Sequence, residues 1–162
     1  MRVLLSEKAA SETVGIIFPL LPKHAERLLN EGKTVFVKFF GRESIPLRLR
    51  QGSKLFLYES QGNKAIVGEA SITRVESVRA SDAVSTYGAR LFLTQLEFDE
   101  YVGNRGDKTM LALVLGEVRK YAVPLSLERS VTMAGRYMTR EMHKRLLRQP
   151  RNSITINAES RN

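Results

Sequence analysis

Cysteine and tryptophan are absent from this 162-residue chain, and histidine occurs twice, at His24 and His143. Without a thiol there is no disulfide framework, no thiolate metal site and no cysteine nucleophile, which suits a reducing, cytoplasmic interior. The two histidines are far apart and neither has neighbours at metal-ligand spacing, so no metal is expected and each reads as a helix-surface residue. No apolar run approaches the roughly 18 to 20 residues needed to cross a bilayer. The opening MRVLLSEKAAS turns acidic too soon for a secretory signal, so no membrane partner is expected. GxGxxG, GK[ST] and GxSxG motifs are missing, and Gly103-Asn104-Arg105-Gly106 reads as a surface loop. No cofactor is expected.

What the chain does have is basic charge, 26 Lys and Arg against 17 Asp and Glu, unevenly placed. Residues 32–54 hold six basic side chains and one acid, Glu43, and residues 120–162 hold nine against three, while the middle is mildly acidic. Basic charge interleaved with the aromatics of TVFVKFF is how a protein presents a phosphate-binding surface on a rigid sheet. If the two basic segments meet on one face, they form a single patch that draws polyanions.

Periodicity switches repeatedly between strand and helix. Val14 to Leu20 reads as a strand stopped by Pro19 and Pro22. Pro22 then opens a helix whose buried face is Leu21, Ala25, Leu28 and Leu29, ended by Gly32. Thr34 to Phe40 is a strand apolar on both faces, hence expected to be central. Lys54 to Ser60 and Ala65 to Thr73 form a hairpin around Gln61-Gly62-Asn63. Gly68, mid-strand, marks a bulge, a bend or a close approach of another backbone, the bend being preferred. Ser81 to Tyr87 and Thr94 to Val102 are short helices, the second with a capping-box spacing from Thr94 to Glu97. Thr109 to Leu115 is a core strand running toward Tyr121. Thr139 to Gln149 is a last helix with the stripe Met138, Met142 and Leu146. Strands are short and outnumber helices, so the fold class is α+β, a small mixed β-barrel or curled sheet with peripheral helices. One domain, residues 1–150, and a polar, flexible tail, 151–162, complete the organisation.

The phrases KTVFVKFF, GSKLFLYES, IVGEASI, YGARLFLT, RKYAVPL and VTMAGRYMT, in that order, resemble the uncharacterised archaeal family known as domain of unknown function 365. That family is related by fold to the PUA-like superfamily, with its PUA, ASCH, EVE and YTH domains. The resemblance implies a PUA-like pseudo-barrel and, by kinship, binding of RNA or of a modified base. Gly52-Ser53-Lys54 is similar to the GxK signature of ASCH domains, but the acidic residue that follows, Glu59, is not at the matching spacing. Some ASCH-type proteins are small hydrolases or nucleases using a Lys with a Glu or Tyr. Their possible counterparts here are Lys38, Lys54, Tyr58 and Glu69.

The preferred reading is an RNA-binding module in which Arg42, Arg48, Arg50, Lys54, Arg136, Arg140, Lys144 and Arg148 hold phosphates. In it, exposed Phe40, Tyr58 or Tyr137 stacks a splayed base. The alternative is a small ASCH-type hydrolase or ribonuclease with a pocket lysine, Lys38 or Lys54, desolvated beside Glu69 and serving as a base. That reading requires these side chains to converge on one cavity, and Lys38 and Glu69 on opposite faces of the barrel would exclude it. A third reading is a protein-interaction module whose basic patch meets an acidic partner.

Overall fold

The structure, a computed structural model, describes residues 12–40 and 46–149. Arg42 and the tail 151–162 lie outside these residues. The elements are β1 (Thr13–Leu20), α1 (Pro22–Asn30), β2 (Val35–Lys38), β3 (Lys54–Glu59), β4 (Ala65–Arg79), α2 (Ala80–Tyr87), α3 (Gln95–Val102), β5 (Thr109–Ser126), β6 (Arg136–Thr139) and α4 (Arg140–Leu147). The strands form one sheet in the order β2-β5-β4-β3-β1-β6. β1 runs parallel to β3, and the other pairs are antiparallel. Among the described residues no helix is long and apolar enough to cross a membrane.

The sheet cannot be flat. Four strand steps separate β2 from β1, a distance of roughly 19 Å at the usual strand spacing. Yet the rings of Phe18 on β1 and Phe36 on β2 stack with centroids 5.3 Å apart. The sheet therefore curls until β1, next to its far edge, meets β2 through side chains, while backbone pairing leaves it open. Inside the curl lies the larger apolar cluster, including Phe18, Phe36, Leu55, Leu57, Ile72 and Leu113. Alternation sends Ile17, Phe56, Tyr58 and Ile66 to the other face, where they pack with Met138, Met142 and Leu146 beneath α4. Burying each such side chain contributes about 1.5 to 3 kcal/mol.

Three expectations need correction. β2 is an end strand, not a central one. It is apolar on both faces because Phe18 covers its inner side, while its outer edge is met by the segment at Leu91, bridged to Val35, with Phe92 N–H donating to Val35 O at 3.1 Å. Pro19 does not stop β1. The Leu20 carbonyl accepts from Ser60 N–H on the β3 side, so by alternation Pro19 directs its missing donor the other way, where β6 has already ended opposite Ile17. The strand β6 itself was not expected. At Gly68 the ladder does shift register, and a Cβ there would fall 2.6 Å from Leu29 Cδ2 and 2.7 Å from the Arg119 carbonyl oxygen. Bulge and close approach coincide at this glycine.

Candidate nucleic-acid interface

A cleft of about 560 Å³ opens where the end of β1, the start of α1, β2, the Ser60-Gln61 turn and α3 converge. Its lining is mainly apolar and aromatic, with Leu20, Phe36, Phe92, Leu93 and Met133 around Lys38 and Tyr101. Lys38 is 7% exposed, and its Nζ lies 5.1 Å from the Phe18 ring centroid. Among the described residues no carboxylate pairs with it, and burial lowers its pKa. The ring face offers a buried ammonium some compensation, worth about 2 kcal/mol when desolvated. Tyr101 OH accepts the Phe39 backbone N–H at 2.9 Å. Burial raises the pKa of this phenol despite that hydrogen bond, so it keeps its proton.

One wall of the cleft is fixed by Glu97. Thr94 and Glu97 form the reciprocal cap of α3. The Glu97 carboxylate also receives the Arg27 guanidinium, and Lys23 Nζ at 2.9 Å. His24 Nε2 stands 3.4 Å away. The Arg27 hydrogen bonds, with help from Thr94 and Lys23, outweigh burial and hold the carboxyl far below its usual range. His24 is half-buried rather than a surface residue, with its ring edge-on to Phe92. Burial lowers its pKa more than Glu97 raises it.

At the opposite end of β1 the two basic segments meet. Gly15 is opposite both Lys54 on β3 and Met138 on β6, and a Cβ on it would lie 2.0 Å from the Lys54 carbonyl oxygen, so the backbones close up. The Arg48 guanidinium carbon sits 4.1 Å from the Tyr137 ring centroid, and its Nε donates to Thr13 Oγ1 at 2.9 Å. Arg140 follows Thr139, which caps α4 by accepting from Met142 N–H at 3.1 Å. Arg48, Arg50, Lys54 and Arg140 thus belong to one end of the sheet. β6 carries Arg136 and Tyr137 from the Met133 side of the cleft toward that end. Lys144 and Arg148 continue along α4, away from it.

Lys54 and Glu69 do converge, but apart from Lys38. The Lys54 Nζ to Glu69 Oε2 distance is 2.5 Å, and Tyr121 OH donates to Glu69 Oε1 at 2.7 Å. Burial alone would raise the Glu69 carboxyl, but Lys54 and Tyr121, with the charge of Arg119, bring it below its usual value. This group lies on the α4 face of the sheet, whereas Lys38 lies against Phe18 inside the curl. Tyr58 is 2% exposed and packs beneath α4, so it presents no face to a base. Phe40 is half-buried and meets Phe18 edge-on at 5.6 Å. Tyr137 is half-buried under Arg48.

Tyr101, Tyr121 and His143 escaped the sequence reading. His143 was expected on the surface, yet its ring packs 5.3 Å from Phe56 and its Nε2 is buried without a hydrogen-bond partner among the described residues. Burial lowers its pKa. Its position three before Leu146 is the one signal in the sequence, since that spacing shares a helix face.

The ASCH protein of Zymomonas mobilis has a similar fold, with a TM-score of 0.70 at 19% identity, covering 84% of this chain and 95% of that one. A single-substitution variant of it matches with a TM-score of 0.70 at 18% identity over 84% of this chain and 98% of that one. In sequence, the uncharacterized protein MJECS03 of Methanocaldococcus jannaschii is 26% identical over 106 residues, which are 59% of this chain and 98% of that protein. Residues 13–140 match the family described as Domain of unknown function (DUF365). That span takes in every strand and reaches the first residue of α4, and the chain belongs to the DUF365 family, with an ASCH-like α+β fold.

Proposed function

We propose that this protein binds RNA, with the curled sheet acting as a PUA-like pseudo-barrel. A splayed nucleobase occupies the cleft, and the flanking phosphates follow β6 toward Arg48, Arg50 and Arg140. The observation that carries this reading is the Arg48 to Tyr137 contact, which joins the two basic segments at one end of a strand whose other end adjoins the cleft. β6 spans about 10 Å, a reach suited to a short stretch of backbone. The chain's net charge of +9 supplies the long-range attraction.

Arg48, Arg50, Arg136 and Arg140 along this edge, each meeting one phosphate of a single strand, give a log-log salt slope of about −3. Filter binding of single-stranded RNA at several salt concentrations measures it. Replacing Arg48 and Arg140 by Ala reduces the slope by about 1.4. A slope unchanged by both substitutions places the RNA elsewhere. With Lys38 on the other face, the hydrolase that needs it beside Glu69 is excluded, and the nearby Lys54-Glu69 ion pair favours only a narrower second reading, a small hydrolase or ribonuclease using that pair without Lys38. There Glu69 is already engaged by Tyr121 and Lys54 and held ionised, so the polar group left to act is the half-exposed Lys54. RNA cleavage that disappears in Lys54→Ala would support this reading.

A further inference from the structure

Among the described residues the inner cleft carries two side-chain donors, Lys38 and Tyr101, with no free carboxylate beside them, and that imbalance specifies the ligand. Lys38 Nζ can only donate, and among the described residues it has no carboxylate partner, only the Phe18 ring. The Tyr101 oxygen has spent an acceptor site on Phe39 N–H, so its remaining polar capacity includes its own proton. The carboxylate and hydroxyl acceptors nearby are committed or peripheral, and His24 turns its Nε2 to Glu97. Both Glu97 oxygens are taken by Arg27, Lys23 and the Thr94 backbone. Ser60 Oγ donates to the Leu20 carbonyl. Gln61 and Glu100 are exposed at the mouth.

We infer that the cleft selects nucleobases whose inner edge accepts hydrogen bonds, the keto bases uracil and guanine, over cytosine and adenine, which present an amino group at the equivalent position. This deepens the RNA-binding reading and rests on it. An amino group beside a buried ammonium puts donor against donor and leaves both unsatisfied. A keto oxygen is met by Lys38 and Tyr101 together. The apolar lining by Phe36, Phe92, Leu20 and Leu93 suits a flat ring better than a phosphate dianion, which one lysine cannot neutralise. The volume of about 560 Å³ is ample for a nucleoside.

Isothermal titration of the full chain with uridine, guanosine, cytidine and adenosine 5′-monophosphates at neutral pH tests this. Uridine and guanosine monophosphates are expected to bind about 5- to 150-fold more tightly than their amino counterparts, the range of one well-made base contact. Lys38→Met is expected to abolish the preference, and Tyr101→Phe to reduce it, with circular dichroism confirming that each variant is folded. Equal affinity for all four nucleotides overturns the keto preference and leaves RNA binding intact. Competition by ribose 5-phosphate as effective as that by uridine monophosphate assigns the donors to phosphate and also overturns it. No binding of any nucleotide by a chain that still binds RNA removes the base from the cleft, and no binding of RNA either removes the parent reading.

Discussion

Glu97→Gln isolates the ionic part of the clamp beside the cleft. Glutamine keeps the size of the side chain and still completes a capping box, so the α3 cap survives. What is lost is the negative charge that receives Arg27 and Lys23 and stands 3.4 Å from His24 Nε2. The Glu97 side chain is 18% exposed, so solvent screens part of the interaction and the full cost of breaking a buried pair does not apply. A charge-assisted hydrogen bond is roughly twice as strong as a neutral one, and hydrogen bonds to charged groups contribute about 1.5 to 3 kcal/mol. The expected destabilisation lies in that range, a fall of about 3 to 12 °C in Tm for a chain of this size. The dependence on pH is the sharper test. Because the folded carboxyl titrates well below its unfolded value near 4.3, its contribution is complete above that value and fades as pH falls toward the folded pKa. Urea denaturation at pH 7 and pH 3 should show the gap between wild type and variant narrowing in acid. A gap below about 0.5 kcal/mol at pH 7, within the usual range for surface substitutions, or one that persists unchanged to pH 3, refutes the clamp.

Two further substitutions probe the sheet. Gly68→Ala forces a methyl against the Leu29 side chain and the rigid Arg119 backbone, so a loss of about 1 to 3 kcal/mol is expected in chemical denaturation. His143→Phe removes a buried nitrogen that lacks a partner among the described residues while keeping an aromatic against Phe56, and stability at neutral pH should hold or rise. Since burial depresses the folded His143 pKa, the wild type should lose stability as pH falls through and below about 6.5. That part of the pH dependence should be missing in the variant, as a denaturation series from pH 8 to pH 5 would record.

Local patterns located most elements because they are local causes. Pro22 opens α1, the Thr94-Glu97 spacing caps α3, and alternation in β3 assigns its faces. β6 was missed because four residues, Arg136 to Thr139, wedged between a turn and a helix carry too little alternation to register. β2 misleads because burial on both faces suggests a neighbour on each edge, whereas the inner cover comes from Phe18 across the curl. The Tyr121-Glu69 bond depends on the β4 and β5 register, which shifts at Gly68 and again near Ile72, and counting residues along either strand cannot reveal such slips. Lys38 was legible as a lysine within an apolar strand. Its separation from Glu69 was not, since that depends on which face of the curled sheet each occupies.

Thr13 and Thr139 face each other across β1 and β6, so the basic end of the sheet is built from opposite ends of the chain. Closing so large a loop is slow and yields few contacts until the rest has collapsed. During synthesis the cleft residues up to Tyr101 emerge well before β6. A ribosome-bound chain halted before Arg136 can therefore shape most of the cleft while lacking the strand that joins it to the basic end, so the two come together only late in the making of each molecule.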